Sequence, residues 1–373
     1  MPTNSGSIEI IINEEVITKI ERYVHNKKRN GIEREWMILK DLESKGSMVS
    51  PVPIEFGTLP SGNNYLMMQR LKNVGMVENE YDIMFSILCL KGLGYIHGEY
   101  KKDNMSFEDG YRCVFINFDQ SLECDMKMPM ESFIHKIIKT NKNKSNPLRY
   151  EKIIKMFSSG RLELSKTTIF QKGVSTKTNN GIYYPVFTSN LFIDGEQEID
   201  RQIGVLSDIS FSSNERVLDI GCNTGLLVRY LISRGCLQVD GYEISKEYSI
   251  AGQMINNSCS IFNSRIYNKD ITKEKIDKQY DTVMLFSVLH HLSSFSHPIK
   301  EILGCGCKRI IIESRLVEQG MVYDGSSWKK TNKWVFKKLE DLIEYLEKMF
   351  VGFKLNKNYG LVDRNRYILE FVR

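Results

Sequence analysis

RVLDIGCNTGLLVRYL, residues 216–231, contains a strand, a tight turn and the start of a helix in sixteen consecutive positions. The first five residues are mostly aliphatic and β-branched, which favours a buried strand. Gly221 and Gly225 allow the backbone to turn sharply and let a ligand approach closely. The helix that follows directs its unpaired N–H groups toward the same turn. The stretch therefore predicts a strand, loop and helix with a ligand site at the loop.

Strands and helices alternate through the rest of this half of the chain, which predicts a parallel sheet with crossover helices. The predicted strands are 216–220, 238–244, 264–271, 280–289, 308–314, 353–360 and 366–372, and the predicted helices are 226–233, 246–256 and 335–349. The last two strands predict an antiparallel hairpin at one edge. We therefore predict an α/β fold with a Rossmann-like, seven-stranded sheet, preceded by an α+β domain, and we expect ligands at the carboxyl ends of the strands.

Three acidic residues follow or end successive strands, and their order indicates the ligand. The turn lacks the G-x-G-x-x-G pattern of a pyrophosphate loop, and Asp219 would repel a phosphate but favour an ammonium group. Glu243, 24 residues later, is placed to accept both hydroxyls of a ribose. Asp270 is placed to accept from the exocyclic amine of adenine. An amino acid, a ribose and an adenine in this order describe S-adenosylmethionine; the alternative is a nicotinamide-binding Rossmann domain.

Residues 190–373 resemble the class I S-adenosylmethionine-dependent methyltransferases. The resemblance is carried by VLDIGCNTG, by Glu243 and by DTVMLFSVLHHL. Asn223 stands where many family members have glycine, and asparagine tolerates left-handed backbone angles. Arg201 resembles arginines that reach the cofactor carboxylate in some relatives, although a surface salt bridge is an equal alternative. The other cofactor contacts that the resemblance implies are Asp219, Gly221, Cys222, Asn223, Gly225, Glu243, Ile244, Asp270, Ile271 and Phe286.

Two segments next to the predicted cofactor are candidates for catalysis and acceptor binding. His290 and His291 follow the fourth strand, where one of them would act as a base if the acceptor arrives protonated. The alternative is a structural role for the pair. Residues 313–336 form a long connection rich in aromatic and basic residues, and long ordered loops are usually functional. We interpret this connection as an acceptor-binding wall, with an oligomer contact or surface flap as the alternative.

Residues 8–124 resemble the protein kinases and their small-molecule-kinase relatives. The segment HGEYKKDN has the layout of a phosphotransfer loop, and INFD occupies the place of the metal-binding segment. The resemblance implies a site for ATP and Mg²⁺ built from Lys19, Glu35, Glu99 as the base, Asn104, Asn117 and Asp119, with Asn104 and Asp119 as the metal ligands. Glu99 and Asn117 replace the usual aspartates, so a pseudokinase that binds a nucleotide or recruits a substrate is favoured over an active kinase.

These readings divide the chain into a kinase-like domain (1–130), a basic connection (131–190) and a methyltransferase domain (191–373). The combination resembles bifunctional kinase–methyltransferases that cap bacterial surface polysaccharides. The expected reaction is methyl transfer to an oxygen or nitrogen nucleophile of a small molecule or glycan. Because basic runs cluster around residues 27–34 and 135–155, an RNA or tRNA methyltransferase is one alternative. A ligand-sensing regulatory scaffold is the other.

Composition limits the remaining possibilities. The 373 residues are 42% hydrophobic and 26% charged, with a formal net charge of +5, as expected of an ordinary globular protein. Eight scattered cysteines form no C-x-x-C pair, so no zinc or thioredoxin-like site is predicted. No apolar run approaches the length of a membrane span, and the first residues lack a signal-peptide pattern. We expect a cytoplasmic protein.

Overall fold

The computed structural model describes residues 8–21, 31–77, 79–141, 162–173, 185–188, 190–193, 203–204, 206–292, 295–316, 336–363 and 366–373. The described residues divide into two compact units. The N-terminal unit comprises the described residues of Met1–Ile182, Val186–Asp194 and Gln253–Phe262. The C-terminal unit comprises the described residues of Tyr183–Pro185, Gly195–Gly252 and Asn263–Arg373.

The N-terminal unit is built on a four-stranded antiparallel sheet in the order β1-β2-β4-β3, with helix α1 packed against it. Its strands are β1 (Ile8–Ile12), β2 (Val16–Glu21), β3 (Pro53–Thr58), β4 (Asn64–Gln69), β5 (Tyr95–Ile96), β6 (Met105–Glu108), β7 (Arg112–Phe115), β8 (Leu122–Glu123), β9 (Leu162–Glu163), β10 (Val186–Phe187) and β11 (Leu191–Ile193). Its helices are α1 (Gly31–Ser44), α2 (Glu80–Leu93) and α3 (Met130–Asn141).

Helix α2 is the buried helix of this unit, and local sequence sets both of its ends. The Asn79 side chain accepts a hydrogen bond from the Tyr81 N–H at the first turn, and Gly94 ends the helix with a φ of 92°. Almost every residue of the helix is buried. The apolar helix therefore belongs to the core of the N-terminal unit.

The C-terminal unit contains one seven-stranded sheet in the order β14-β13-β12-β15-β16-β18-β17. Its strands are β12 (Arg216–Ile220), β13 (Gln238–Glu243), β14 (Ile266–Asn268), β15 (Thr282–Phe286), β16 (Arg309–Arg315), β17 (Lys354–Asp363) and β18 (Arg366–Val372). Its helices are α4 (Leu226–Ser233), α5 (Lys246–Ser258, whose last residues cluster with the N-terminal unit), α6 (Ser296–Gly304) and α7 (Leu339–Met349).

The predicted fold class is confirmed. Strands β12 to β16 are parallel, and β18 and β17 close the edge as an antiparallel hairpin. Alternate side chains of the same strands enter two separate core clusters, as a sheet covered on both faces requires. The strand order reverses between β12 and β15, which is the point where open α/β sheets bind ligands.

Candidate active site

The loop after β12 adopts left-handed backbone angles, and glycine occupies two of these positions. Gly221, Asn223 and Gly225 have φ angles of 76°, 53° and 78°, all in the left-handed region. A Cβ at Gly221 would lie 2.4 Å from Val288 Cγ2, and one at Gly225 would lie 2.4 Å from Ile266 Cδ1. Asn223 adopts the left-handed conformation expected of it. The loop therefore needs glycine at two positions for both conformation and space.

Glu243 ends β13 and is held by two backbone N–H groups. Asn223 N donates to Oε2 at 2.8 Å, and Ser245 N donates to Oε1 at 2.9 Å. Glu243 is 7% exposed, and burial raises its pKa although the two N–H donors act in the opposite direction. The donors fix the carboxylate at the edge of the sheet and leave lone pairs for a ligand.

Asp219 lies on β12, directly before Ile220 and Gly221. It is 2% exposed, and its Oδ2 has no hydrogen-bond partner among the described residues. Burial, followed by the negative charge of Glu243, raises the pKa of Asp219 to about 8. A buried carboxylate without a donor for one oxygen gains most from a nearby cationic group.

Asp270 lies two residues beyond the end of β14, in the turn that follows. Its Oδ1 accepts from Thr272 N at 3.0 Å and from Thr272 Oγ1 at 2.6 Å, and its Oδ2 lies 2.8 Å from Lys273 Nζ. The hydrogen bond from Lys273, followed by that from Thr272, lowers the pKa of Asp270. The carboxylate is therefore ionised and held in one orientation.

A cavity of about 680 Å³ opens at the carboxyl edge of β12 to β16, and it brings most of the predicted site residues together. The predicted residues that line it are Gly221, Asn223, Glu243, Ile244, Asp270, Ile271, Phe286 and His291. The described lining does not include Asp219, Cys222 or Gly225. Cys222 belongs instead to a buried core cluster, and burial raises the pKa of its thiol.

Residues 218–306 match the family model of a methyltransferase domain. The C-terminal unit therefore contains a region that matches a methyltransferase domain. A tRNA U34 carboxymethyltransferase of Nautilia profundicola is 27% identical over 121 residues, which cover 32% of this chain and 39% of that protein. The chain thus matches less than half the length of this curated relative.

Solved structures of similar fold include a magnesium protoporphyrin IX methyltransferase from Synechocystis PCC 6803 with bound S-adenosylhomocysteine. It has 22% identity and a TM-score of 0.38, and the match covers 48% of this chain and 89% of that one. A bifunctional kinase–methyltransferase named WbdD is 16% identical with a TM-score of 0.35, over 48% of this chain and 40% of that chain.

The residues at the methyltransferase cavity fit S-adenosylmethionine, the cofactor of this domain. Pockets of about 300–1,000 Å³ hold ligands of this size, and the glycine loop leaves no side chain where Gly221 faces the cavity. The unpartnered Asp219 oxygen suits the neighbourhood of an ammonium group. The loop sequence lacks the G-x-G-x-x-G pattern that binds the diphosphate of a dinucleotide.

The short helical turn Leu289–His291 presents the predicted histidines after β15. His291 lines the cavity and is exposed at its rim. Partial desolvation, and then the positive charges of Arg315 and Arg366, lower the pKa of His291. The side chain of His290, Arg201 and most of the predicted acceptor wall, residues 317–335, lie outside the described residues.

The methyltransferase cavity also contains basic residues that were not named individually from the sequence, although Arg315 lies in the predicted acceptor-binding segment 313–336. Its lining includes Lys269, Lys273, Arg315 and Arg366. Lys269 pairs with Asp277 and lies 4.9 Å over the Tyr242 ring. The predicted C-terminal hairpin was the sequence signal from which Arg366 could have been identified. An antiparallel final strand begins at the edge where its parallel neighbours end, so its first residue reaches the ligand edge.

In the N-terminal unit, all but one of the predicted kinase-like residues form one polar cluster. Lys19 Nζ lies 2.8 and 2.7 Å from the two Glu35 oxygens and donates to Asn117 Oδ1 at 2.8 Å. Asn117 Nδ2 donates to Asn104 Oδ1 at 2.8 Å, and Asn104 Nδ2 donates to Glu99 Oε2 at 3.2 Å. The cluster thus joins four separate segments of the chain.

Asp119 is the exception, because the contact shown for its side chain is with the neighbouring residue. Gln120 Nε2 donates to Asp119 Oδ2 at 2.9 Å. Across the described parts of the chain, no group of three His, Cys, Asp or Glu side chains is placed to hold a metal ion. The predicted ligand pair of Asn104 and Asp119 stays a prediction.

His97 anchors the loop that contains Glu99. It is fully buried, with Nε2 at 2.6 Å from Ile116 O and Nδ1 at 3.1 Å from Glu99 O. Burial lowers the pKa of His97 to about 4, although the two carbonyl contacts act in the opposite direction. The buried imidazole of His97 contacts the backbone carbonyl of Glu99 and stays neutral near pH 7.

Proposed function

We propose that this protein transfers a methyl group from S-adenosylmethionine to an oxygen or nitrogen nucleophile on a small molecule or a glycan. The observation that carries the proposal is the cavity at the point where the strand order reverses. There the glycine loop, the oriented Glu243 carboxylate and His291 meet. The match of residues 218–306 to a methyltransferase domain supports it independently.

The residues on the β12 to β14 side of the cavity bind the donor. Glu243 accepts the ribose hydroxyls on the lone pairs that Asn223 and Ser245 leave free. Asp270 accepts from the adenine amine, while Asp219 contributes negative charge near the amino acid ammonium. These contacts hold a ligand without covalent bonds, so the enzyme's contribution is positioning and exclusion of water.

His291 is the proposed base of the reaction. When bound, S-adenosylmethionine supplies a methyl group already activated on a sulfonium. The bond from sulfur to carbon breaks as the bond from carbon to the nucleophile forms, and the nucleophile loses its proton. Because its lowered pKa keeps His291 neutral at pH 7, an imidazole nitrogen is available to take that proton.

Glu243→Ala tests the donor assignment. Removing two hydrogen bonds to a charged group, each contributing about 1.5 kcal/mol, should weaken S-adenosylhomocysteine binding about 100-fold in calorimetry. Glu344→Ala, which removes an exposed carboxylate paired with Lys348 on α7, is the matched control and should bind as wild type does. Glu243→Gln keeps the side-chain shape if the alanine variant misfolds. Unchanged affinity in both Glu243 variants would remove the ribose assignment.

The N-terminal unit is proposed to be kinase-like, and to bind a nucleotide or recruit the acceptor without transferring a phosphoryl group. The cluster from Glu35 through Lys19, Asn117 and Asn104 to Glu99 supports the first part. The neutral amide of Asn117 supports the second, because Mg²⁺ prefers carboxylate ligands.

An ATP-induced rise in melting temperature tests this nucleotide site. We expect ATP with Mg²⁺ to raise the melting temperature of the wild-type chain. Lys19→Ala should abolish this rise, whereas Lys40→Ala on the exposed part of α1 should keep it. Lys19→Arg retains the partner of the buried Glu35 and serves if the alanine variant is unstable. A wild type without any rise contradicts nucleotide binding by this unit.

An RNA acceptor is the second candidate for the methyltransferase. The observation that favours it is the match to a relative named as a tRNA U34 carboxymethyltransferase. The runs of basic residues in the sequence are compatible with phosphate contacts. RNA binding whose logarithm falls steeply with the logarithm of salt concentration, together with methylation of that RNA, would replace the small-molecule or glycan acceptor.

A further inference from the structure

Arg315 and Arg366 lie opposite each other on two neighbouring strands, at the carboxyl edge of the parallel strands of the methyltransferase sheet. Arg315 ends β16 and Arg366 begins β18, and the antiparallel register pairs them directly. Both line the cavity that contains Glu243. Like charges directly opposite on neighbouring strands are destabilising, so this pair works against the pairing of β16 with β18.

One buried acid compensates part of that repulsion. Glu313 is 2% exposed, and its Oε1 accepts from Arg366 Nη1 at 3.0 Å and from Ser287 Oγ at 2.8 Å. The same carboxylate holds Arg366 in a fixed orientation beside the cavity.

Charge is divided along the carboxyl edge of the sheet. In sheet order, Asp270, Glu243 and Asp219 follow or belong to β14, β13 and β12. His291, Arg315 and Arg366 belong to the other side, at β15, β16 and β18. Lys269 and Lys273 lie on the acidic side, where each has an acidic partner, Asp277 and Asp270.

We propose that Arg315 and Arg366 together bind an oxyanion group of the methyl acceptor, a carboxylate or a phosphate. The inference rests on the proposed function and adds to it the chemical class of the acceptor. Two guanidinium groups that line one cavity from neighbouring strands supply N–H donors of the kind that bind the oxygens of such a group. An anion between them also removes the repulsion that the register creates.

The division of charge explains why the anion belongs to the acceptor. The acidic side of the cavity suits a ligand with ribose, amine and ammonium groups. The arginines lie across β12 and β15 from those acids, next to His291. An acceptor held by its anion at this position places its nucleophile between the donor and the base.

The test uses the full chain loaded with S-adenosylhomocysteine and the probes inorganic phosphate and acetate. We expect saturable stabilisation against heat by at least one probe, beyond that of sodium chloride at equal ionic strength. The probe with the stronger effect distinguishes a phosphate from a carboxylate. Arg315→Gln should weaken this response about tenfold, the effect of losing a hydrogen bond to a charged group.

Arg234→Gln is the matched control, because it removes the same charge from an exposed position at the end of α4, outside the cavity. It should respond to the probes as wild type does. If Arg315→Gln misfolds, Arg315→Lys keeps the charge but loses the planar donor pair, and should also weaken the response. An equal response in wild type and the Arg315 variants, or no response beyond sodium chloride, overturns the proposal. Failure of wild type to bind S-adenosylhomocysteine would instead overturn the proposed function.

Discussion

Among the three acidic residues predicted to bind the donor, Asp219 has the pKa that is shifted furthest. A buried carboxyl with a pKa of about 8 and an orphaned oxygen is costly in the free protein. A ligand ammonium near it would favour the ionised form and recover part of that cost. The residue thus links the stability of the methyltransferase domain to donor binding.

Asp219→Asn tests this strained carboxyl. Because its folded-state pKa lies above the unfolded value of about 3.9, the stability that this carboxyl contributes is greatest at low pH. That contribution is lost as the pH rises toward 8. The asparagine variant lacks this titration, so its stability relative to wild type should increase by roughly 3 kcal/mol between pH 5 and pH 8.

Denaturant unfolding of both proteins at the two pH values measures this difference. The part of the difference that is independent of pH reports the changed hydrogen bonding of the side chain. If the whole difference is independent of pH, Asp219 is already ionised at pH 5, which would contradict the raised pKa.

Individual site residues were predictable from sequence where a strand end was recognisable. Glu243 and Asp270 follow that rule, and both line the cavity. Arg315 lies in the predicted acceptor-binding segment 313–336, but Arg366 was missed because its closeness to Arg315 depends on the register of β16 and β18, which no local pattern specifies. The burial of Cys222 away from the cavity likewise follows from its packing near Gly241, a long-range contact.

The strands of the methyltransferase domain follow the predicted order, but their ends differ, and helix α6 (Ser296–Gly304) was not predicted. The fourth strand was predicted as 280–289 and is observed as Thr282–Phe286. It ends where Ser287 takes a φ of 56°, after which Leu289 and Leu292 remain buried in a short helical turn. Apolar residues continue past the strand because the turn also packs against the core, so hydrophobicity alone overestimates the strand.

The ends of the third strand and of the last helix were also not predicted correctly from the sequence. The third strand was predicted as 264–271 and spans only Ile266–Asn268, and the last helix starts at Leu339 instead of Val335. Asp270 therefore lies in the turn beyond the strand, where Thr272 and Lys273 fix its carboxylate. Hydrogen bonding within a turn, not strand geometry, orients this residue.

At the scale of the whole molecule, the two candidate sites belong to different compact units. The polar cluster of Lys19, Glu35, Asn117, Asn104 and Glu99 belongs to the first, and the methyltransferase cavity belongs to the second. No helix in the described parts of the chain is long and apolar enough to span a bilayer. The kinase-like assignment of the first unit stays a proposal, which its nucleotide response will decide.

Direct titration distinguishes a methyl-donor site from a dinucleotide site in the same sheet. S-adenosylhomocysteine and NAD are titrated separately into the purified chain in a calorimeter. We predict saturable binding of S-adenosylhomocysteine at one site per chain and no heat of binding from NAD. Saturable binding of NAD without binding of S-adenosylhomocysteine would contradict the methyl-donor assignment of the cavity.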